Sequence, residues 1–316
     1  MPILLIFILG WLLIPTANAT SNPDLAADSG PRVITSIAPI QSLVAGVMGG
    51  SGPVEVLVNP GASPHTYRLR PSQIEAVHRA GLIVVVGVSE LEGFLTPVLE
   101  DMADGPSLLR LVDIPGMRLL KDRVGGVRVA DETARREGTI DGHLWLNPRN
   151  AALIVGAVAT RLARLDAANA KRYLANAHAL QARIEDLDRA VQERVAPVHG
   201  RPAIVFHDAY QYLEDRYDLN VVATVSVDPG HPPGARRLHQ IRKLIDSGRA
   251  VCLFSEPEYP NRLLASLLRG GVRHASLDPL GSTVELGPEL YFSVMRQLAR
   301  QTADCLRSDS VARSVE

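Results

Sequence analysis

Aromatic side chains make up only 4% of the 316 residues, too few for a platform that stacks nucleic-acid bases. Charge of one sign is also lacking. Lys and Arg number 33 against 34 Asp and Glu, a formal net charge of -1, which argues against a nucleic-acid partner, since such proteins carry a basic surplus or stripe. No nucleophile elbow, Walker loop or dinucleotide glycine motif occurs. Gly49-Gly50-Ser51-Gly52 is glycine-rich but leads into a strand and reads as a turn.

Long hydrophobic runs are missing except at the start. Residues 3–14 are almost unbroken apolar and are followed by Ala17-Asn18-Ala19, a small-x-small cleavage pattern. The run falls short of the ~20 residues a spanning helix needs. The basic residue that usually precedes such a run is absent, the first Lys or Arg being Arg32. A weak or misplaced start accounts for that, and a membrane anchor is the alternative. The reading is a cleaved signal over 1–19 and a polar, disordered lead-in over 20–31, hence export to the periplasm. Only two cysteines occur, Cys252 and Cys305. In an exported chain an even pair suggests one disulfide, with two buried free thiols as the alternative.

What is present is a packed globular composition, 46% hydrophobic and 21% charged. The fold class is α/β, with two blocks of strands alternating with helices, the pattern of mainly parallel sheets. The first block has strands at Val33-Ile34-Thr35-Ser36-Ile37, Val54-Glu55-Val56-Leu57-Val58 and 82–86, and helices over 39–48, 71–79 and 91–102. The second has strands at Ala203-Ile204-Val205-Phe206, Val221-Val222-Ala223-Thr224-Val225 and Ala250-Val251-Cys252-Leu253-Phe254, with helices over 209–216, 235–247, 261–269 and 289–306. Between them, Asn147-Pro148 caps a helix over 151–165. A second run of helix formers over 167–195 spaces Leu174, Leu180, Ile184, Leu187 and Val191 for one face. The organisation is an N-terminal lobe over 32–166, a connecting helix over 167–196 and a C-terminal lobe over 197–316. Residues 121–139 read as an exposed loop or hairpin.

Three of the nine histidines stand where a strand or turn gives way to a loop: His65, His143 and His207. In open α/β sheets ligands bind beyond the carboxyl ends of strands, so the three point to one cleft between the blocks. Imidazole nitrogen suits Zn²⁺ and other late first-row ions, and a carboxylate completes a tetrahedron. Asp278, beyond an apolar segment, is the candidate fourth ligand, with water the alternative. Spacing alone does not separate this from unrelated loop histidines, because no two are close in sequence. Glu256 reads as an orienter of a ligand histidine, and Asp208 as either that or a helix cap. His231, in a Pro/Gly loop, is a candidate gate. His78, His178, His199, His239 and His274 read as surface or structural.

Motifs on both lobes sharpen this. Gly61-Ala62-Ser63-Pro64-His65-Thr66-Tyr67 with Arg70-Pro71-Ser72, Asp141-Gly142-His143-Leu144-Trp145-Leu146-Asn147-Pro148, and Phe206-His207-Asp208-Ala209-Tyr210 resemble the three histidine loops of the metal-specific solute-binding proteins of ABC importers. Within that family the chain is most similar to the zinc branch, the ZnuA type. Phe254-Ser255-Glu256-Pro257 and Leu277-Asp278-Pro279-Leu280-Gly281 match its second lobe, and the likeness spans residues 33–306. The resemblance implies two α/β lobes joined by one long helix, and a non-enzymatic monomer that carries Zn²⁺ as cargo to an inner-membrane permease with a cytoplasmic ATPase. It also supports the Cys252–Cys305 disulfide. The chain departs from the family pattern in three places. Residues 121–139 contain no His, Pro64 stands where some members have Glu, and His207 stands where manganese-binding relatives have Glu. The last favours Zn²⁺ over Mn²⁺, because imidazole suits zinc and a second carboxylate suits manganese; a manganese- or iron-binding member of the same family is the alternative. An exported zinc hydrolase, with three His and an open position, is the reading from another class.

Overall fold

The structure, a computed structural model, describes residues 30–100, 108–123, 135–226, 233–257 and 261–307. The expected signal segment, nearly all of the lead-in, and His231 lie outside the described residues.

The chain opens with β1 (Val33–Thr35), α1 (Ala38–Met48), β2 (Val54–Val56), α2 (Pro71–His78) and β3 (Leu82–Val85). Where apolar spacing predicts one helix over 91–102, the chain forms two short ones. These are α3 (Ser89–Glu92) and α4 (Thr96–Glu100), split by a 3-10 turn at Gly93–Leu95. Pro97 is the cause: it has no N–H to give, and its ring would crowd the carbonyl of Gly93 in a continuous helix. A strand without a sequence signal, β4 (Leu108–Arg110), completes a parallel sheet of order β2-β1-β3-β4. The 121–139 segment contains a hairpin, β5 (Lys121–Arg123) antiparallel to β6 (Arg135–Ile140).

Two helices follow, α5 (Pro148–Leu165) and α6 (Ala170–Val195). The Asn147 side chain accepts from the Arg149 N–H at 3.0 Å and Pro148 opens the helix, as the Asn-Pro pair predicts. The 26-residue α6 is about 39 Å long. Its buried stripe is Tyr173, Ala177, Leu180, Ile184, Leu187, Val191 and Val195, in steps of four and three. Leu174, expected on that stripe, is 43% exposed. It lies one residue, about 100° of helical turn, from Tyr173, which takes the inward place.

The second block comprises β7 (Pro202–His207), α7 (Gln211–Tyr217), β8 (Asn220–Ser226), α8 (Ala235–Asp246), β9 (Cys252–Ser255), α9 (Asn261–Leu268), β10 (Arg273–Ser276) and α10 (Leu290–Leu306). Its sheet is parallel, of order β10-β9-β7-β8. Cys252 and Cys305 form a disulfide, Cα to Cα 6.0 Å, tying the last helix to β9. The expected α/β architecture is the one found: two parallel sheets flanked by helices, with the long α6 connecting the lobes. One apolar core runs between the sheets, from Val33 and Val84 through α5, α6 and α10 to Val205 and Phe254. Within it Tyr291 donates from its hydroxyl to the Trp145 carbonyl at 3.0 Å, and its N–H to Ser42 Oγ at 3.0 Å. No helix among the described residues is long and apolar enough to cross a membrane.

Candidate metal centre

All strands of each four-stranded sheet point their carboxyl ends the same way, and loops leaving those ends carry His65 and His207. After β2 the chain turns at Gly61, whose φ of 79° is left-handed and suits glycine, and His65 sits in a 3-10 turn at Pro64–Thr66. His143 follows β6 and precedes the 3-10 turn Leu144–Leu146. His207 is the last residue of β7. The tertiary structure brings all three together. Ring centroids are 5.6 Å apart for His65–His143, 4.9 Å for His65–His207 and 5.0 Å for His143–His207. One nitrogen from each lies within 4.8 Å of the others.

Each ring is held by the oxygen facing its Nδ1. For His65 it is the Glu90 carbonyl at 3.0 Å. For His143 it is Asp141 Oδ1 at 2.8 Å, an oxygen that also accepts the His143 backbone N–H at 2.9 Å. For His207 it is Glu256 Oε1 at the longer distance of 3.4 Å. An acceptor at Nδ1 places the proton there and leaves the Nε2 lone pair for another partner. Three such nitrogens form a neutral, borderline-soft donor set of the kind late first-row ions take.

The holders are themselves held. Asp141 Oδ2 accepts from Gln211 Nε2 at 3.0 Å and its carbonyl from the Tyr212 hydroxyl at 2.9 Å. The same hydroxyl accepts the Leu120 N–H at 3.0 Å. Tyr210 donates to Glu256 Oε1 at 3.1 Å. Gly142 lets the His143 loop lie against α3: a Cβ there would stand 2.9 Å from the Leu91 side chain. Leu91 adjoins Glu90, so the loops of His65 and His143 meet through that contact.

The two buried histidines titrate in opposite directions. Burial pulls His143 down to about 3, the neighbouring His207 adding to the fall against Glu256 and Asp208. Burial pulls His207 the same way, but Glu256, Asp208 and Asp141 outweigh it and leave the group above its ordinary value. Burial pushes the Asp141 carboxyl up to about 7, with the His143 backbone N–H opposing and the Asp208 charge reinforcing the rise.

Two sequence expectations change. Asp278 is not among the clustered groups. Its Oδ1 accepts the Gly281 N–H at 2.8 Å, and its Oδ2 accepts the Ser282 hydroxyl at 2.8 Å and the Thr283 N–H at 3.3 Å. An Asp before a Pro–Leu–Gly turn closes that turn with its own carboxylate, and the Trp145 indole pins the turn by donating to the Pro279 carbonyl at 3.0 Å. Asp208 does not cap α7, whose start has no side-chain cap bond. Arg123 grips it instead, Nε to Oδ2 at 3.1 Å and Nη2 to Oδ1 at 2.5 Å. Glu256 stands beside His207, as the strand-end position predicts. His78, His178, His199, His239 and His274 are exposed, His274 facing the Ser255 hydroxyl at 2.8 Å.

Sequence reading passes over Asp141, Arg123 and the Glu90 carbonyl. Asp141 had a signal, an Asp two residues before a candidate ligand. The others had none, because they meet the site only through folding. His65, His143, His207, Asp208 and Arg123 line one cavity of about 140 Å³ together with Glu90, Leu91, Asp122, Asp141, Gly142 and Gln211.

Known proteins resemble this chain over most of its length. The High-affinity zinc uptake system protein ZnuA of Brucella abortus (strain 2308) is 34% identical over 305 residues, covering 87% of this chain and 91% of that protein. The protein of the same name from Yersinia pestis is 31% identical over 315 residues, covering 94% and 98%. A crystal structure of ZnuA superposes with a TM-score of 0.73 at 24% identity, over 88% of this chain and 100% of that one, a likeness of fold. Residues 33–305 match the family described as zinc-uptake complex component A, periplasmic, and the chain belongs to it.

Proposed function

We propose that the protein captures Zn²⁺ with His65, His143 and His207 and delivers it to an inner-membrane ABC permease driven by a cytoplasmic ATPase. The observation that carries the reading is the set of Nδ1 contacts, which turns three neutral Nε2 lone pairs toward one small cavity. Family membership and the zinc-uptake relatives support zinc as the cargo. The donors fit it: zinc takes imidazole nitrogens at about 2.0–2.1 Å in a tetrahedron, so three nitrogens within 4.8 Å need only a modest inward shift. Because Asp278 closes its own turn, the fourth position falls to water. The protein acts as a carrier, not an enzyme, in the periplasm after loss of residues 1–19, and works as a monomer. The division is a lobe over 32–166, a connecting helix over 167–196 and a lobe over 197–316. The rigid α6 restricts how far the lobes move on loading and release.

The test is competitive metal titration of chelator-stripped protein. Replacing His65, His143 or His207 by Ala is expected to weaken zinc binding about a hundredfold or more, while exposed His178→Ala leaves it unchanged. Equal effects from all four variants would remove the site assignment. Manganese outcompeting zinc would move the cargo to the manganese or iron members of the family. Ester or peptide turnover that tracks zinc occupancy would favour a hydrolase.

A further inference from the structure

Glu92 is a buried carboxylate that the zinc reading leaves without a role. It is the last residue of α3 and only 3% exposed. Its side chain reaches back to the end of β3, where Oε1 accepts the Val86 N–H at 3.0 Å and Oε2 the Gly87 N–H at 2.8 Å. The Gly87 carbonyl in turn accepts from Arg110 Nη2 at 3.0 Å, so the backbone that receives Glu92 is itself tied to the segment after β4. Two residues before Glu92, the Glu90 carbonyl faces His65 Nδ1 at 3.0 Å. Between them, Leu91 is packed against Gly142, the residue before His143. The four residues of α3 thus touch the loops of two of the three histidines. A helix of one turn has too few internal hydrogen bonds to hold itself, so its pose comes from its anchors. Buried Leu91 supplies apolar contact, which is non-directional. A carboxylate on two N–H groups is charge-assisted and directional.

Resting on the three-histidine reading, we propose that Glu92 is a positioning residue for His65. By clamping α3 to the end of β3 it sets where the Glu90 carbonyl stands, and through that oxygen the tautomer and direction of the His65 ring. The carboxylate is the fitting group because both of its oxygens accept. An amide of the same shape offers one acceptor and turns an NH₂ toward the second N–H. The loss of one bond lets α3 turn, and the Glu90 carbonyl turns with it. His65 Nδ1 then loses the acceptor that keeps its proton in place, and Nε2 is no longer reserved for the ion.

The experiment reads two quantities on the full mature chain. One is the His65 tautomer in metal-free protein, from the ring nitrogen chemical shifts at a pH where imidazole is neutral. The other is the zinc dissociation constant, by chelator competition. Glu92→Gln is expected to move His65 from the Nδ1–H form to a mixture of tautomers, to leave the His207 shifts in place, and to weaken zinc about tenfold. In a His65→Ala background the same substitution costs no further affinity, because the ring it positions is gone. A merely structural role would weaken zinc by the same factor in both backgrounds and leave the tautomer alone. Glu92→Asp keeps the carboxylate on a shorter stem and takes the place of Glu92→Gln if that variant does not fold, with the same expected directions. An unchanged His65 tautomer in the variant that folds overturns the proposal. So does an equal loss of affinity in both backgrounds. His65→Ala binding zinc as tightly as the wild type overturns the site reading itself, a failure distinct from either.

Discussion

The two lobes repeat one strand order, with the first strand of each block flanked by its second and third and the fourth outermost, yet they treat their histidines differently. The first lobe fixes His65 with a backbone carbonyl from its own chain, a rigid and uncharged partner. The second places His207 at a strand end and backs it with a carboxylate, Glu256. His143 belongs to neither sheet. It leaves the hairpin, and its Asp141 partner is braced by Gln211 and Tyr212 of α7, from the opposite lobe. The comparison teaches that the site is not two halves brought together by a free hinge. The support of one histidine of the first lobe's sequence already comes from the second lobe's helix, and one apolar core around α6 is shared by both lobes.

The largest expected effect falls on the second lobe alone. Its disulfide joins residues 53 apart in sequence, and chain entropy assigns such a cross-link about 4 kcal/mol. Replacing Cys252 and Cys305 by Ala is expected to lower the denaturation midpoint by that order while zinc affinity of the folded protein holds. Affinity falling in step with stability would show that the lobes are not separable even in this respect.

A smaller effect sets the two carboxylate supports against each other. Asp141→Asn and Glu256→Gln each remove a charged partner from a histidine Nδ1, a change that costs about 10–100-fold in metal affinity. Asp141→Asn is expected to cost more, because its contact to the ring is 2.8 Å against 3.4 Å. Chelator competition at pH 7.5, roughly the neutral range in which imidazole ligates, checks the order. A reversed order would place the stronger support in the second lobe.

The finest distinction is in pH. Zinc needs neutral imidazole and the ionised form of a supporting carboxylate. His143, held down at about 3, stays neutral through the physiological range. His207 is raised and Asp141 stands at about 7. Affinity is therefore expected to decline as pH falls below about 7, with protons released when zinc binds. In the metal-free protein the sign reverses for His207. Its raised value contributes stability below the ordinary histidine pKa, and that stability is lost as pH rises through the folded one. Glu256→Gln removes a raising charge and is expected to move the onset of zinc loss to lower pH in titration calorimetry. An onset that does not move would assign the transition to Asp141.

Local pattern made much of this legible. Six strands of the two parallel sheets were visible as apolar runs, β4 and β10 being the exceptions, the α5 start as Asn147-Pro148, and α6 as a long stretch of helix formers. The three clustered histidines were visible from their places at the ends of recognisable elements together with the motifs around them. Misreadings arose where one residue overrides its neighbourhood. Pro97 breaks a helix whose apolar spacing continues across it. Leu174 yields the inward position to Tyr173. Asp278 accepts from two N–H groups and the Ser282 hydroxyl of its own turn, a choice invisible until the turn is built.

The sequence by itself determined the α/β class, the connecting helix, the cysteine pair and the identity of the three histidines, because hydrophobic periodicity, capping and motif chemistry act over a few residues. Only the tertiary structure decided which oxygens orient those rings, that Arg123 grips Asp208, and that the two buried histidines are shifted in opposite directions. Those outcomes depend on groups as far as 85 residues apart, as Arg123 and Asp208 are, meeting in a low-dielectric cleft where burial and a facing charge outweigh any preference a residue carries alone.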